Sequence, residues 1–150
     1  MKKYTRILFV EEHGNIRAPM AEAIFKESIL ASKIEAESRG LIVLFGEPMN
    51  QKAQAILKSN GIELEDFETK ALIEEDFKED TLIIVMEHTH RNQIQQKFGE
   101  TCNVEVLTEL TGEELEIMDP YGGTLAAYGL CFETLNTTMK KLITLLNEGE

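Results

Sequence analysis

The chemistry-bearing stretch nearest the amino terminus is "EEHGNIRA", Glu11 to Ala18, two carboxylates and a histidine followed by Gly-Asn-Ile and a single arginine. Gly14 and Asn15 tolerate left-handed backbone angles, so the segment can curl its amide N–H groups inward around an anion. Arg17 can add a planar fork of donors to such a cup. The same Gly-Asn pair also serves as an ordinary tight turn, so the cup is one of two readings of this motif taken alone. His13, His88 and His90 together with Glu11 and Glu12 are potential metal ligands, but two neighbouring acids plus one His occur often by chance. No metal and no other cofactor is expected.

The elements around this stretch decide what it can do. "RILFV" (6–10) before it is a continuous apolar run, suited to a parallel strand buried on both faces. After it, Pro19 is placed to open a helix with Ala21, Ile24, Phe25 and Ile29 on one face. The loop therefore lies at the carboxyl end of a strand and the positive end of a helix, where ligands of open α/β sheets bind. Further on, "IEAES" (34–38) alternates like a strand, and Asn50 to Lys58 reads as a helix stopped by Asn60-Gly61. "TLIIVM" (81–86) is a second buried strand, 88–98 a helix with Thr89 as its cap, and "VEVL" (104–107) a fourth strand. Tyr128, Cys131, Phe132, Leu135, Met139, Leu142 and Leu146 form one apolar stripe on a long last helix.

Composition narrows the function classes. With 150 residues, 43% of them hydrophobic, the chain can bury one core and reads as a single domain, 1–150. Its 27 acidic against 15 basic residues give a formal charge of −12, which opposes nucleic acid and anionic lipid as partners. No apolar run is long enough to cross a bilayer, and a cytoplasmic location is expected. Cys102 and Cys131 stand apart and read as small apolar residues rather than redox partners.

Four segments in order, "FVEEHGNIRAPMAEAIF" (9–25), "SRGLIVLFGEPMN" (38–50), "TLIIVMEHTH" (81–90) and "DPYGGTLAAY" (119–128), resemble the low-molecular-weight protein-tyrosine-phosphatase family over nearly the whole chain. The family's counterpart of the first is "FVCxGNICRSPMAEAIF". The resemblance implies a three-layer α/β fold, a central four-stranded parallel sheet with helices on both faces. It also implies site residues. An ungapped alignment that keeps Phe9-Val10 and Pro19 puts Glu11 at the family's nucleophilic Cys, Arg17 at its phosphate-binding Arg and Ala18 at its hydroxyl residue. Glu12, His13, Gly14, Asn15 and Ile16 then complete the anion-binding loop, with Gly-Asn-Ile shifted by one position. Asp119 matches the general acid and Tyr121 an aromatic wall of the cleft, although Asp-Pro is also common turn chemistry. Gly122 and Gly123 look like the bacterial branch.

In the family a thiolate attacks phosphorus, the Arg holds the equatorial oxygens, and the hydroxyl supports the thiolate. Two of these three groups are replaced here, consistently with each other. The implied function is that of a pseudophosphatase, a binding or regulatory protein whose partner would be a protein or phosphoprotein. An enzyme using a carboxylate nucleophile or a metal-activated water, and a structural remnant without ligand, are the alternatives. The longer reach of a Glu side chain lets Glu11 fill the cup and pair with Arg17 itself.

Overall fold

A computed structural model describes residues 3–101 and 103–149, so the expectation for Cys102 falls outside the described residues. The strands are β1 (Arg6–Glu11), β2 (Glu35–Gly40), β3 (Thr81–Val85) and β4 (Val104–Val106). The helices are α1 (Arg17–Lys26), α2 (Gln51–Ser59), α3 (His88–Phe98), α4 (Leu107–Thr111) and α5 (Leu125–Glu148), with short 3-10 turns at Ile29–Ser32 and Glu74–Asp76. Among the described residues the strands form one parallel sheet in the order β2-β1-β3-β4. This is the four-stranded α/β architecture that the alternation of apolar runs and helical stripes implies.

The sheet explains why β1 is apolar from Ile7 to Val10 and β3 from Leu82 to Val85. Ile7, Phe9, Leu82 and Ile84 join a cluster with residues of α1, α2 and α5, whereas Leu8, Val10, Ile83 and Val85 pack with Ile94 of α3, Leu72 and the partly buried Phe77 and Phe98. Successive strand residues point to opposite faces, so helices on both sides demand an unbroken apolar run. The stripe on α5 is buried as its periodicity implies, from Tyr128 through Leu146.

Helix α1 differs from its sequence pattern in two ways. It begins at Arg17, with Pro19 as its third residue; the first-turn amides have no intrahelical acceptor, so the missing N–H is harmless there. The first turn is closed by Met20 N–H to Ile16 O at 3.2 Å. The helix ends at Lys26, and the chain turns at Ser28 into a 3-10 segment that leaves Ile29 exposed rather than on the apolar face. Every residue from Arg17 to Phe25 is buried, because α1 is wedged between sheet and helices.

Helix α3 starts two residues earlier than a Thr89 cap requires. Glu87 is its N-cap, with the Glu87 N–H donating to His90 Nδ1 at 3.2 Å, and Thr89 Oγ1 donates to Glu87 Oε1 at 3.3 Å from inside the first turn. The second strand is likewise displaced, from 34–38 to Glu35–Gly40, and the fourth ends at Val106 because Leu107 opens α4.

A loop cup filled by its own carboxylate

Glu11 is the last residue of β1, and its side chain turns into the loop that follows. Its Oε2 accepts hydrogen bonds from the Ile16 N–H at 3.0 Å and the Ala18 N–H at 2.7 Å. These amides belong to the N-terminal end of α1, where free donors and the helix dipole favour negative charge. Glu11 is only 4% exposed, so the cup holds a carboxylate supplied by the chain.

The loop keeps this shape because β2 lies against it. Gly14 has φ +72°, and a Cβ there would lie 2.9 Å from backbone atoms of Arg39 and Gly40. Leu41 N–H bonds to Glu11 O at 3.0 Å, Ile42 N–H to Glu12 O at 2.7 Å and Asn50 N–H to Asn15 O at 2.9 Å. The segments 40–42 and the start of α2 thus clamp the loop backbone.

Arg17 lies beneath, 1% exposed, with its donors divided among four partners. Nη1 donates to the Ile117 carbonyl at 2.7 Å, and Nη2 meets Glu87 Oε2 at 2.7 Å and Asp119 Oδ2 at 3.8 Å. Nε is 3.5 Å from Glu11 Oε1, an ion pair without a hydrogen bond, and has no other partner. Burial alone would pull the guanidinium's pKa down, but Glu11, Glu87 and Asp119 more than offset it. For Glu11 the balance goes the other way: burial pushes its pKa above the ordinary value, against the opposing effects of Arg17 and of the Ala18, Ile16 and Arg17 amides. Three carboxylates share one cation.

Asp119 and Tyr121 reach the same place from the segment before α5. Together with Glu11, Glu12 and Arg17 they line a cleft of about 490 Å³ that opens above the cup. Asp119 Oδ1 accepts the Tyr121 N–H at 3.1 Å, so the carboxylate also closes a local turn while its other oxygen faces Arg17. The loop members divide by role. Ile16 and Ala18 contribute amides, Gly14 and Asn15 contribute backbone geometry, and Glu12 and His13 stand at the rim with exposed side chains.

The histidines do not converge. His13 Nδ1 is 3.2 Å from the Ile42 carbonyl, His88 lies between Glu116 at 2.6 Å and Glu109 at 2.8 Å, and buried His90 serves the α3 N-terminus. Among the described residues no group of three or more His, Cys, Asp or Glu side chains is placed to hold a metal ion. Cys131 is buried on α5, and burial pushes its thiol up to about 12, with Arg17 opposing and Glu11 and Asp119 reinforcing. It therefore remains a thiol at neutral pH.

Sequence reasoning missed Glu87, the Ile117 carbonyl and the apolar lip at 42–45. Glu87 follows β3 at its carboxyl end, the same topological position as the loop after β1, and that placement was a usable signal. The carbonyl of Ile117 leaves no trace in a side-chain pattern.

A parallel β2-β1-β3-β4 sheet with helices on both faces, and a carboxylate held by amides between β1 and α1, defines a doubly wound α/β class. Residues 6–150 match the family model "Low molecular weight phosphotyrosine protein phosphatase", and the chain belongs to that family. It is 31% identical over 139 residues to the low molecular weight protein-tyrosine-phosphatase PtpB of Staphylococcus haemolyticus, covering 93% of this chain and 98% of that one. The low molecular weight protein tyrosine phosphatase of T. tengcongensis superposes with a TM-score of 0.88 at 34% identity, over 95% of this chain and 99% of the other. The YwlE arginine phosphatase of Geobacillus stearothermophilus also gives 0.88, at 28% identity, over 97% and 94%.

Proposed function

We propose that this protein is a pseudophosphatase, a family member without cysteine-based turnover that acts by binding a protein partner. One observation carries the reading: Glu11, aligned with the family's nucleophilic Cys, occupies the cup and takes the Ile16 and Ala18 amides with its own carboxylate. A phosphate entering the cup would have to displace that carboxylate. Each hydrogen bond to a charged group contributes about 1.5–3 kcal/mol, so the exchange returns roughly what it removes. The balance is then decided by the surroundings, where Glu12, Glu47 and Asp119 all line the cleft and repel an anion. Cys131 offers no substitute nucleophile, because burial holds its thiol protonated.

The test is hydrolysis of p-nitrophenyl phosphate in chelator and with added Mg²⁺, Mn²⁺ or Zn²⁺. No turnover above buffer is expected in any condition. Turnover in chelator that vanishes in Glu11→Ala would overturn the proposal in favour of a carboxylate nucleophile; metal-dependent turnover would overturn it in favour of activated water.

A further inference from the structure

The cleft above the filled cup has an unusual wall. On one side the segment after β2 exposes Leu44 at 90% and Phe45 at 69%, with Ile42 beside them; on the other Tyr121 is 77% exposed. Large apolar and aromatic side chains gathered at the mouth of one cleft, rather than scattered over the surface, mark a place where another molecule is covered. The charge of the same wall says what kind. Glu12, Glu47 and Asp119 line it and Glu11 forms its floor; among the described lining residues His13 stands 3.6 Å from Glu12, and the arginine, Arg17, has its terminal nitrogens already engaged by Ile117, Glu87 and Asp119.

We infer that this cleft takes the unphosphorylated arginine side chain of a partner protein, with apolar neighbours of that arginine resting on Leu44, Phe45 and Tyr121. A guanidinium suits the wall better than an ammonium, because it can donate to carboxylates along its edge and stack on aromatic rings with its face. Glu11 lines the cleft from its floor and adds its negative charge there. The inference rests on the proposed function, since a cup open to phosphate would select the opposite charge. In effect the filling of the cup converts an anion site into a cation site without altering the frame that holds it.

The experiment uses the full chain and the peptide fluorescein-Gly-Leu-Arg-Leu-Gly-amide, labelled at its amino terminus and read by fluorescence anisotropy. Companion peptides carry citrulline, which keeps the shape and removes the charge, or phosphotyrosine in place of the arginine. Binding of the arginine peptide is expected to weaken by about tenfold or more with citrulline and to fall with added salt. Glu47→Gln and Phe45→Ala, both surface changes, are each expected to weaken it severalfold. A citrulline peptide that binds as well as arginine, or no binding of either, overturns the inference. Tighter binding of the phosphotyrosine peptide also overturns it. Inorganic phosphate is titrated in parallel while the Ile16 and Ala18 amide resonances are followed by NMR. Phosphate binding that moves these resonances would overturn the filled-cup reading as well, whereas silence there confines any failure to the arginine site.

Discussion

Two clusters of arginine and carboxylate flank β1, one along the β2 edge of the sheet and one at the carboxyl end of β1, and they treat their acids in opposite ways. Along the edge, Arg6 and Arg39 face Glu37 and Asp76: Arg6 Nη2 is 3.1 Å from Glu37, Arg6 Nη1 3.5 Å from Asp76, Arg39 Nη1 3.1 Å from Glu37 and Arg39 Nε 3.3 Å from Asp76. Two cations meet two anions at a partly open edge. Burial acts to raise the Glu37 pKa, but Arg39, aided by hydrogen bonds from Arg6 and Arg39, holds it at about 2. At the end of the strand one buried arginine serves three carboxylates, and burial wins at Glu11. The number of cations per carboxylate and the access of water, rather than the residue types, decide whether burial or the neighbouring cations set the acid's pKa.

Removing the arginine from each cluster tests this most severely. Arg17→Met leaves buried Glu11 without a nearby cation and should cost about 3–5 kcal/mol in urea unfolding. Arg39→Met leaves Arg6 in contact with both acids and should cost less, about 1–3 kcal/mol. The reverse order would break the comparison. Next in size is the backbone that frames the cup. Gly14→Ala forces a side chain into φ +72° and against the β2 backbone, and a loss of about 1–3 kcal/mol is expected in the same assay.

The pH dependences should have opposite signs. Glu37 contributes stability that is present above its unfolded value near 4.5 and is lost as pH falls toward about 2. Glu37→Gln should therefore flatten the acid limb of the Tm profile in that window. Glu11, with its pKa raised, contributes stability that is present below 4.5 and is lost as pH rises through its folded value. Relative to the parent, Glu11→Gln should gain stability along that rise. Parallel profiles for the two variants would contradict the comparison.

The smallest effect belongs to exposed His88, whose pKa is raised by its hydrogen bonds to Glu116 and then Glu109. Its contribution is full below the ordinary histidine value and is lost as pH rises through the raised one. The Tm difference between the parent and His88→Gln should shrink above about pH 6.5, by an amount small beside the preceding effects.

Much of this fold is legible in the chain. "RILFV" and "TLIIV" announce strands buried on both faces, and Gly61 marks the end of α2 with φ +73°. What misled was local ambiguity at element ends. Pro19 is a good first helical residue, yet Arg17 and Ala18 are already helical because their amides are drawn toward Glu11, and Thr89 is a better intrinsic cap than Glu87 but sits inside the first turn. Of the site, the loop, Arg17 and Asp119 could be read from spacing and resemblance. The partners of Arg17 at Glu87 and Ile117 are 70 and 100 residues away, and only the folded sheet brings them together.

The carboxylate in the cup has one more consequence. A bound ion is diluted away when its concentration falls, and the stability it confers goes with it. Glu11 is tethered to the cup by the backbone, so its effective concentration there is set by chain geometry and is indifferent to buffer, dialysis or the phosphate content of a cell. Phosphate added to this protein should accordingly give no saturable rise in its melting temperature beyond the general effect of an excluded salt, its ligand being part of its own chain.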